Sequence, residues 1–254
     1  MYTIMLILTF LLLSSYLLVC CGNNSKQQQE RLEHMLEFPE HIKKLHINIG
    51  CNLDPPMPPD DDYSVGVLAV EPVLRTAARI PIHERLFILV CAIADSPRFQ
   101  SFHHYNAGGL SSSLSPLTNQ GEWWKKYTDV DPRKGFAARK NPDFEEAKNV
   151  HQHTMSVVSV MSLKMLLHAI PPHIEITGLH TDMQGYDFLA IKSAAKSIHR
   201  VKNLQTEVHI KDKPYQGVSN DYDTDWVPYM KQMGYNLTKL HGGGKEADAF
   251  WERL

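Results

Sequence analysis

From His41 to the C-terminus, short apolar runs alternate with stretches of helical periodicity. This alternation is typical of a parallel α/β sheet, in which a helix follows each strand and returns the chain. The predicted strands are residues 44–50, 64–70, 85–93, 98–105, 156–160, 178–183 and 204–210, and a closing antiparallel hairpin of 236–240 and 247–253. The predicted helices are 73–80, 162–169, 187–197 and 225–233.

Composition narrows the possible functions. A chain of 254 residues with 43% hydrophobic residues can bury the core of one domain and is not disordered. A net charge of −2 makes nucleic acid an unsuitable partner, because neutralising phosphates requires a basic excess. Four cysteines without a C-x-x-C pair indicate neither a disulfide framework nor structural zinc.

The first 21 residues are predicted as a hydrophobic membrane anchor or signal segment. Tyr2 to Cys21 carries no charge, and twenty helical residues span roughly 30 Å, the hydrocarbon thickness of a bilayer. We expect a single-pass membrane protein of the secretory pathway. The alternative is a signal peptide cleaved near Cys21-Gly22, which would make the protein secreted. Residues 22–40 are predicted as a polar stalk and 41–254 as the folded domain.

An irregular insertion interrupts this domain at residues 107–154. Loops of this length commonly cover a binding site, so we expect a lid. Its aromatic and basic residues, among them Trp123, Trp124, Lys125 and Lys126, are suited to gripping a sugar or an acidic substrate. The alternative is that the tryptophans only pin the loop to the sheet.

The ends of the first two strands predict a nucleoside site. Gly50 lets the backbone approach a ligand, and Glu71 lies 21 residues further on, where an acid can accept both hydroxyls of a ribose. There is no G-x-G-x-x-G motif, and prolines follow from Pro55, so a pyrophosphate-binding helix N-terminus is not expected. The alternative is an ordinary glycine turn beside a surface glutamate.

Several short motifs occur in the order found in one family. Their sequences are Asn48-Ile-Gly-Cys-Asn52, Ala69-Val-Glu-Pro72, Ala92-Ile-Ala-Asp95, Asp182-Met-Gln-Gly-Tyr-Asp187, Thr206-Glu-Val208 and Ala247-Asp-Ala-Phe-Trp251. Together with the helix around Leu163 to Leu167, they resemble FkbM-type S-adenosylmethionine-dependent methyltransferases. The resemblance extends from about His41 to the C-terminus.

The resemblance implies a class I methyltransferase fold: a Rossmann-like, doubly wound, mostly parallel seven-stranded sheet with a C-terminal antiparallel hairpin. It also implies transfer of a methyl group, usually to oxygen. Carried over by position, Asn48, Gly50 and Asn52 would line the methionine part of S-adenosylmethionine, Glu71 would hold the ribose and Asp95 would lie near the adenine. Two positions depart from the family pattern, because Asn48 replaces an acid and Asp54 a glycine.

The same resemblance places Asp182 and Gln184 beside the transferred methyl group and the acceptor. His180 lies two residues before Asp182 on a predicted strand, so the two side chains share a face and His180 is a candidate general base. The alternative is a histidine that only hydrogen-bonds within the sheet. Asp182, Asp187 and Glu207 also form a candidate divalent-cation site, but Asp187 is equally suited to a helix N-terminus, and no metal is expected.

We therefore expect a methyltransferase acting on a small-molecule or glycan acceptor, attached to a membrane through its N-terminal segment and without a nucleic-acid partner. The first alternative is a degenerate, non-catalytic module of the same fold that binds or scaffolds. The second is a nicotinamide-dependent oxidoreductase, which the missing phosphate loop disfavours. Cys51 ends the first predicted strand and Cys91 the third, and the second strand lies between them. The two residues are therefore too far apart for a disulfide, and both are expected to be free thiols.

Overall fold

A seven-stranded and a three-stranded sheet organise the part of the chain that the structure describes. This computed structural model describes residues 36–105, 112–116, 154–210, 214–243 and 245–254. The strands are β1 Lys44–Ile49, β2 Val65–Val70, β3 Leu86–Leu89, β4 Ala92–Ala94, β5 Arg98–His104, β6 Thr154–Ser162, β7 Glu175–Thr181, β8 Val201–His209, β9 Tyr235–Gly243 and β10 Glu246–Arg253. The helices are α1 Leu74–Ala77, α2 Leu163–Ala169, α3 Asp187–Ala194 and α4 Val227–Gln232.

The main sheet has the order β3-β2-β1-β7-β8-β10-β9. The pairs among its first five strands are all parallel, whereas β10 runs antiparallel to both β8 and β9. The fold is therefore a mixed α/β fold with a mostly parallel sheet, compatible with a Rossmann-like architecture, and the predicted C-terminal hairpin is confirmed. Since β1 has β2 on one side and β7 on the other, the chain changes direction across the sheet at β1, where open α/β sheets bind ligands.

One face of the main sheet carries the principal hydrophobic core. Ile47, Leu179 and Leu204 from three adjacent strands are buried there together with residues of α2, α3 and α4. The opposite side of β1, β7 and β8 presents polar positions, beginning with Asn48 and its register partner His180. Alternation along each strand separates the two sets. The polar set continues to the carboxyl ends of the strands.

The three-stranded sheet, with the order β4-β6-β5, was not predicted. Residues 85–93 were expected to be a single strand, and that prediction is wrong. The chain leaves the main sheet after Leu89, and Ala92 pairs instead with Val160 of β6. The apolar run is continuous across this break, so burial on both sides of it conceals the change of sheet from the sequence. The prediction of an edge strand from Arg98 is confirmed, because β5 is the edge of the second sheet.

Helix and turn geometry refine several of the predicted boundaries. Ser162 caps α2, its hydroxyl accepting the Met165 amide at 3.2 Å. The helix predicted for 187–197 is α3 followed by a 3₁₀ segment, Ala195–Arg200. A π-helical turn, Tyr222–Trp226, precedes α4. Trp226 is fully buried in the principal core, which ties this turn to the sheet.

The prediction of a membrane-spanning helix is corrected. Across the ranges that the structure describes, no helix is long and apolar enough to cross a membrane. The predicted anchor, residues 1–21, lies outside those ranges, as do most of the predicted stalk and the greater part of the predicted lid at 107–154.

Candidate functional site

The turn that ends β1 brings β1 and β7 unusually close together. Gly50 has a φ of +78°, and a Cβ built on it would lie 1.9 Å from the carbonyl oxygen of Asp182. The Gly50 amide donates to the Val70 carbonyl at 2.9 Å, and the Asp182 amide donates to the Ile49 carbonyl at 3.0 Å. Both the positive φ and the close approach require glycine. The turn at Gly50 thus holds the carboxyl ends of β2, β1 and β7 side by side, and we call this end of the sheet its carboxyl edge.

Glu71 directly follows β2 and is 6% exposed. Its Oε2 accepts the Asn52 amide at 3.1 Å, and its Oε1 accepts the Val73 amide at 2.9 Å. Burial raises the pKa of Glu71 to about 7, although both hydrogen bonds act in the opposite direction. Asn52 itself has a φ of +50°, so the turn after Gly50 is bent back towards this carboxyl. The structure therefore brings Gly50, Asn52 and Glu71 together, and it makes Glu71 buried rather than a surface residue.

Asn48 lies on the same edge of the sheet, between Ala69 of β2 and His180 of β7 in register. Its side chain is buried, and its Oδ1 has no hydrogen-bond partner among the residues that the structure describes. An unsatisfied buried carbonyl oxygen costs roughly 1–3 kcal/mol. Such an atom marks a position where a ligand that donates a hydrogen bond would be favoured.

The other end of the site is built around Gln184. Its Nε2 donates to Asp182 Oδ1 at 2.6 Å and lies 3.4 Å from both carboxyl oxygens of Glu207. Its Oε1 accepts the Tyr215 hydroxyl at 2.5 Å, and its backbone has a φ of +53°. Both ends of the carboxamide are therefore held. Asp182 and Gln184, predicted as one site, do meet.

The acids at this end share their environment. Burial raises the pKa of Asp182, while the Gln184 hydrogen bond and His180 lower it. Burial, and then the charges of Asp182 and Asp187, raise the pKa of Glu207 well above its usual range. Burial, followed by the charge of Asp182, raises the pKa of Asp187 to about 7. These carboxyls therefore release their protons at higher pH than isolated carboxyls do.

Asp187 holds the turn rather than facing a ligand. Its two carboxyl oxygens each accept the Met183 amide at 3.2 Å, and it is the first residue of α3. This geometry matches the interpretation as an acid at a helix N-terminus. Within the described ranges, no group of three or more His, Cys, Asp or Glu residues is arranged to hold a metal ion.

His180 is half-buried on β7, and its register partners are Asn48 and Gln205. Burial lowers its pKa, whereas the charges of Asp182 and Asp248 raise it. Burial has the larger effect, so the imidazole is mostly neutral at pH 7 and can accept a proton. The role of His180 as a general base stays a prediction.

Asp95 is the residue expected near the adenine. It follows β4 in the second sheet, about half exposed, and forms an ion pair with the Arg98 guanidinium at 2.8 Å. Partial burial acts to raise its pKa, but the hydrogen bonds and charge of Arg98, with smaller contributions from hydrogen bonds to its own backbone and to Ser96, lower it overall. The expected adenine contact therefore rests on a residue that is already engaged by a neighbouring cation.

Three further residues belong to the site but had no sequence signal. Ser113 Oγ donates to the Gln184 carbonyl at 2.8 Å, Tyr215 holds the Gln184 side chain, and Asn220 Nδ2 donates to the Glu207 carbonyl at 2.9 Å. Ser113 and Gln184 are separated by 71 residues along the chain. Contacts across such separations arise only when the two sheets pack. No periodicity or local motif marks them.

Cys51 and Cys91 are both buried and free, as predicted. Burial raises the pKa of Cys91 to about 12. Burial also raises the pKa of Cys51, with a smaller contribution from the charge of Glu71. Neither thiol is activated as a nucleophile, so neither is a candidate for covalent catalysis.

No protein-family model matches the chain, and no curated protein is significantly similar to it. The resemblance to FkbM-type methyltransferases thus stays a prediction. The case for a function depends on the geometry at the strand ends.

Proposed function

We propose that the protein is an S-adenosylmethionine-dependent methyltransferase whose cofactor lies along the carboxyl edge of β2, β1 and β7. The observation that carries the proposal is the pair of buried acceptors on this edge, Glu71 and the unpartnered Oδ1 of Asn48. They fit a ligand that presents a hydroxyl pair at one point and an ammonium group at another. We further propose that the mostly parallel sheet has the class I methyltransferase fold.

Glu71 is suited to a ribose. Each of its carboxyl oxygens accepts one backbone amide, which fixes the carboxyl plane and leaves one lone pair on each oxygen. Two parallel hydroxyl donors at the 2′ and 3′ positions of a ribose match that arrangement. The binding geometry is set by backbone contacts and does not depend on another charged side chain.

Asn48 is suited to the amino group of the methionine moiety. A buried amide oxygen without a partner gains a charge-assisted hydrogen bond when an ammonium binds beside it. Gly50 lets the backbone of Asp182 approach β1 directly beyond Asn48, so the two residues lie at the same end of the sheet. β1 separates Glu71 from Asp182, so the two carboxyls are about two strand spacings, or about 10 Å, apart. That is the scale of a nucleoside joined to an amino acid through sulfur.

Asp182, Gln184 and His180 are suited to the acceptor end. The cofactor supplies an electrophilic methyl group on a sulfonium. Asp182, when ionised, stabilises positive charge at that position, and the Gln184 amide holds its carboxyl in one orientation. His180, neutral at pH 7, accepts the proton of an acceptor hydroxyl as the new carbon–oxygen bond forms. We propose a small molecule or a glycan as the acceptor.

One observation favours a second function, a non-catalytic binding module of the same fold. Asn48 carries no charge where the resembling family has an acid, so the affinity for the cofactor's ammonium is reduced. A nicotinamide enzyme has no comparable support, because the edge lacks a glycine-rich phosphate turn. Measuring which cofactor binds distinguishes the methyltransferase, the binding module and the nicotinamide enzyme.

The test is calorimetric titration of the full-length protein with S-adenosylmethionine, S-adenosylhomocysteine and NAD. We expect micromolar binding of the first two and none of NAD. Glu71→Ala is expected to weaken binding at least about tenfold, since it removes both ribose hydrogen bonds. Glu175→Gln is the matched control, because Glu175 is exposed at the opposite end of β7. If the folded protein bound neither S-adenosylmethionine nor S-adenosylhomocysteine, the proposed methyltransferase activity would be contradicted and the binding module favoured.

A further inference from the structure

We propose that Tyr215 is a positioning residue for the methyl-transfer end of the site: its hydroxyl fixes which end of the Gln184 carboxamide meets Asp182 and Glu207. The importance of this orientation for cofactor binding rests on the proposed function. The orientation itself rests only on the contacts.

The first step is the polarity of the hydrogen bonds. Tyr215 OH lies 2.5 Å from Gln184 Oε1, an atom that can only accept, so the phenol donates. Gln184 Nε2 therefore points the other way and donates to Asp182 Oδ1 at 2.6 Å. In the reversed orientation, Oε1 would face carboxyl oxygens that are themselves acceptors. The Tyr215 hydroxyl would then accept an N–H group but lose Oε1 as the acceptor of its own proton. Tyr215 thus favours one of two nearly isosteric rotamers.

The second step is the rigidity of Tyr215. Its side chain is 2% exposed, and a Cβ built on Gly185 would lie 2.7 Å from its ring, so the ring packs directly on the turn after Gln184. The ring also stacks on His209, with centroids 6.1 Å apart. Ser113 Oγ holds the Gln184 carbonyl at 2.8 Å from the other side. The phenol is consequently a fixed donor with little freedom to follow a moving amide.

The third step is the effect on Asp182. Burial disfavours its charged form, and the Gln184 hydrogen bond is the largest of the effects that oppose burial. Without the Tyr215 hydroxyl, the carboxamide oxygen loses its donor, and only the carboxyl oxygens still oppose the reversed orientation, so the preference for donating to Asp182 is weakened. The Asp182 carboxyl then retains its proton to higher pH. A neutral Asp182 offers no charge to a neighbouring sulfonium.

The experiment compares Tyr215→Phe with Gln184→Ala in the full-length protein, with Tyr186→Phe as the matched control. Tyr186 is also buried and lies two residues after Gln184, but its hydroxyl contacts Gln100 and Ser115 instead. Titration of the Asp182 carboxyl is followed by carbon-13 NMR, with Asp182→Asn for assignment. We expect Tyr215→Phe and Gln184→Ala to raise the Asp182 pKa in the same direction, and Tyr186→Phe to leave it unchanged.

A second readout is affinity for S-adenosylmethionine as a function of pH. Tyr215→Phe should weaken binding about fivefold at pH 7, the scale of one charge-assisted hydrogen bond, and approach the wild-type affinity at higher pH. An Asp182 pKa that Tyr215→Phe leaves at the wild-type value would overturn the inference, whether or not Gln184→Ala moves it. If the wild type does not bind the cofactor, the proposed function fails, whereas the NMR titration still decides the role of Tyr215.

Discussion

The pKa values of the carboxyls at the two ends of the site are raised for different reasons. Burial alone raises the pKa of Glu71. The two hydrogen bonds that act to lower it come from the backbone amides of Asn52 and Val73. Burial raises the pKa of Asp182, Asp187 and Glu207, and the charge of Asp182 raises the pKa of the other two further. The first end is therefore a locally built acceptor, whereas the second is a coupled group that a single substitution can retune.

The largest effect is expected where the two ends meet, at Gly50. Gly50→Ala places a methyl group against the Asp182 carbonyl in a backbone conformation that alanine disfavours. We expect a loss of roughly 4 kcal/mol or more in the free energy of unfolding, measured by urea denaturation. Gly217→Ala is the matched control, because Gly217 has a similar φ of +72° with nothing within 4 Å. It should cost only about 1 kcal/mol, and equal losses would contradict the close approach.

The next effect distinguishes Glu71 by its pH dependence. Because its pKa is about 7 in the folded state and near 4.5 when unfolded, its contribution to stability is complete below pH 4.5 and is lost as the pH rises through 7. The wild type thus loses about 3 kcal/mol from this residue, and Glu71→Gln does not. From pH 4 to pH 8, the free energy of unfolding of Glu71→Gln should therefore rise by that amount relative to the wild type. A pH-independent difference would mean that Glu71 titrates normally.

A smaller effect tests the coupling at the other end. Asp182→Asn removes a charge that raises the pKa of both Asp187 and Glu207, so both carboxyls should titrate at lower pH in the variant. Glu71 has no such contribution from Asp182, and its titration should not move. Carbon-13 NMR of the carboxyl groups measures all three. A shift of Glu71 would show that the two ends are not independent.

The smallest effect uses the buried thiols as reporters. The charge of Glu71 contributes to the raised pKa of Cys51, whereas burial alone accounts for that of Cys91. In Glu71→Gln, alkylation of Cys51 at pH 8.5 should accelerate roughly twofold, with Cys91 as the internal control. The rates can be followed by mass spectrometry of the modified peptides. Acceleration at both cysteines would indicate general loosening.

The strands of the main sheet were largely predictable, and the second sheet was not. The sequence predicts β1 and β2 within a residue of their observed limits, because apolar residues there are bounded by polar turns. It misses the separation of β3 from β4, since both are apolar and buried and only their pairing partners differ. Pairing is a long-range property, so a local pattern carries no information about it.

The candidate site divides in the same way. Gly50, Asn52 and Glu71 are predictable because a strand, a turn and the next strand bring them together over about twenty residues. Asp182 and Gln184 are close in sequence, so their contact is local as well. The role of Asp95 stays a prediction, because its strand joins the other sheet and its carboxylate pairs with Arg98.

The sequence by itself determined the α/β class, the parallel strands and the glycine turn with its distant acid, since each follows from local periodicity or from the conformational freedom of one residue. Only the tertiary structure decided that Tyr215, Ser113 and Glu207 converge on Gln184, and that burial and neighbouring charges raise the pKa of Glu207. The physical reason is that burial and proximity depend on which distant segments pack together. Propensity and spacing act within a few residues, whereas electrostatics acts between whatever the fold brings into contact.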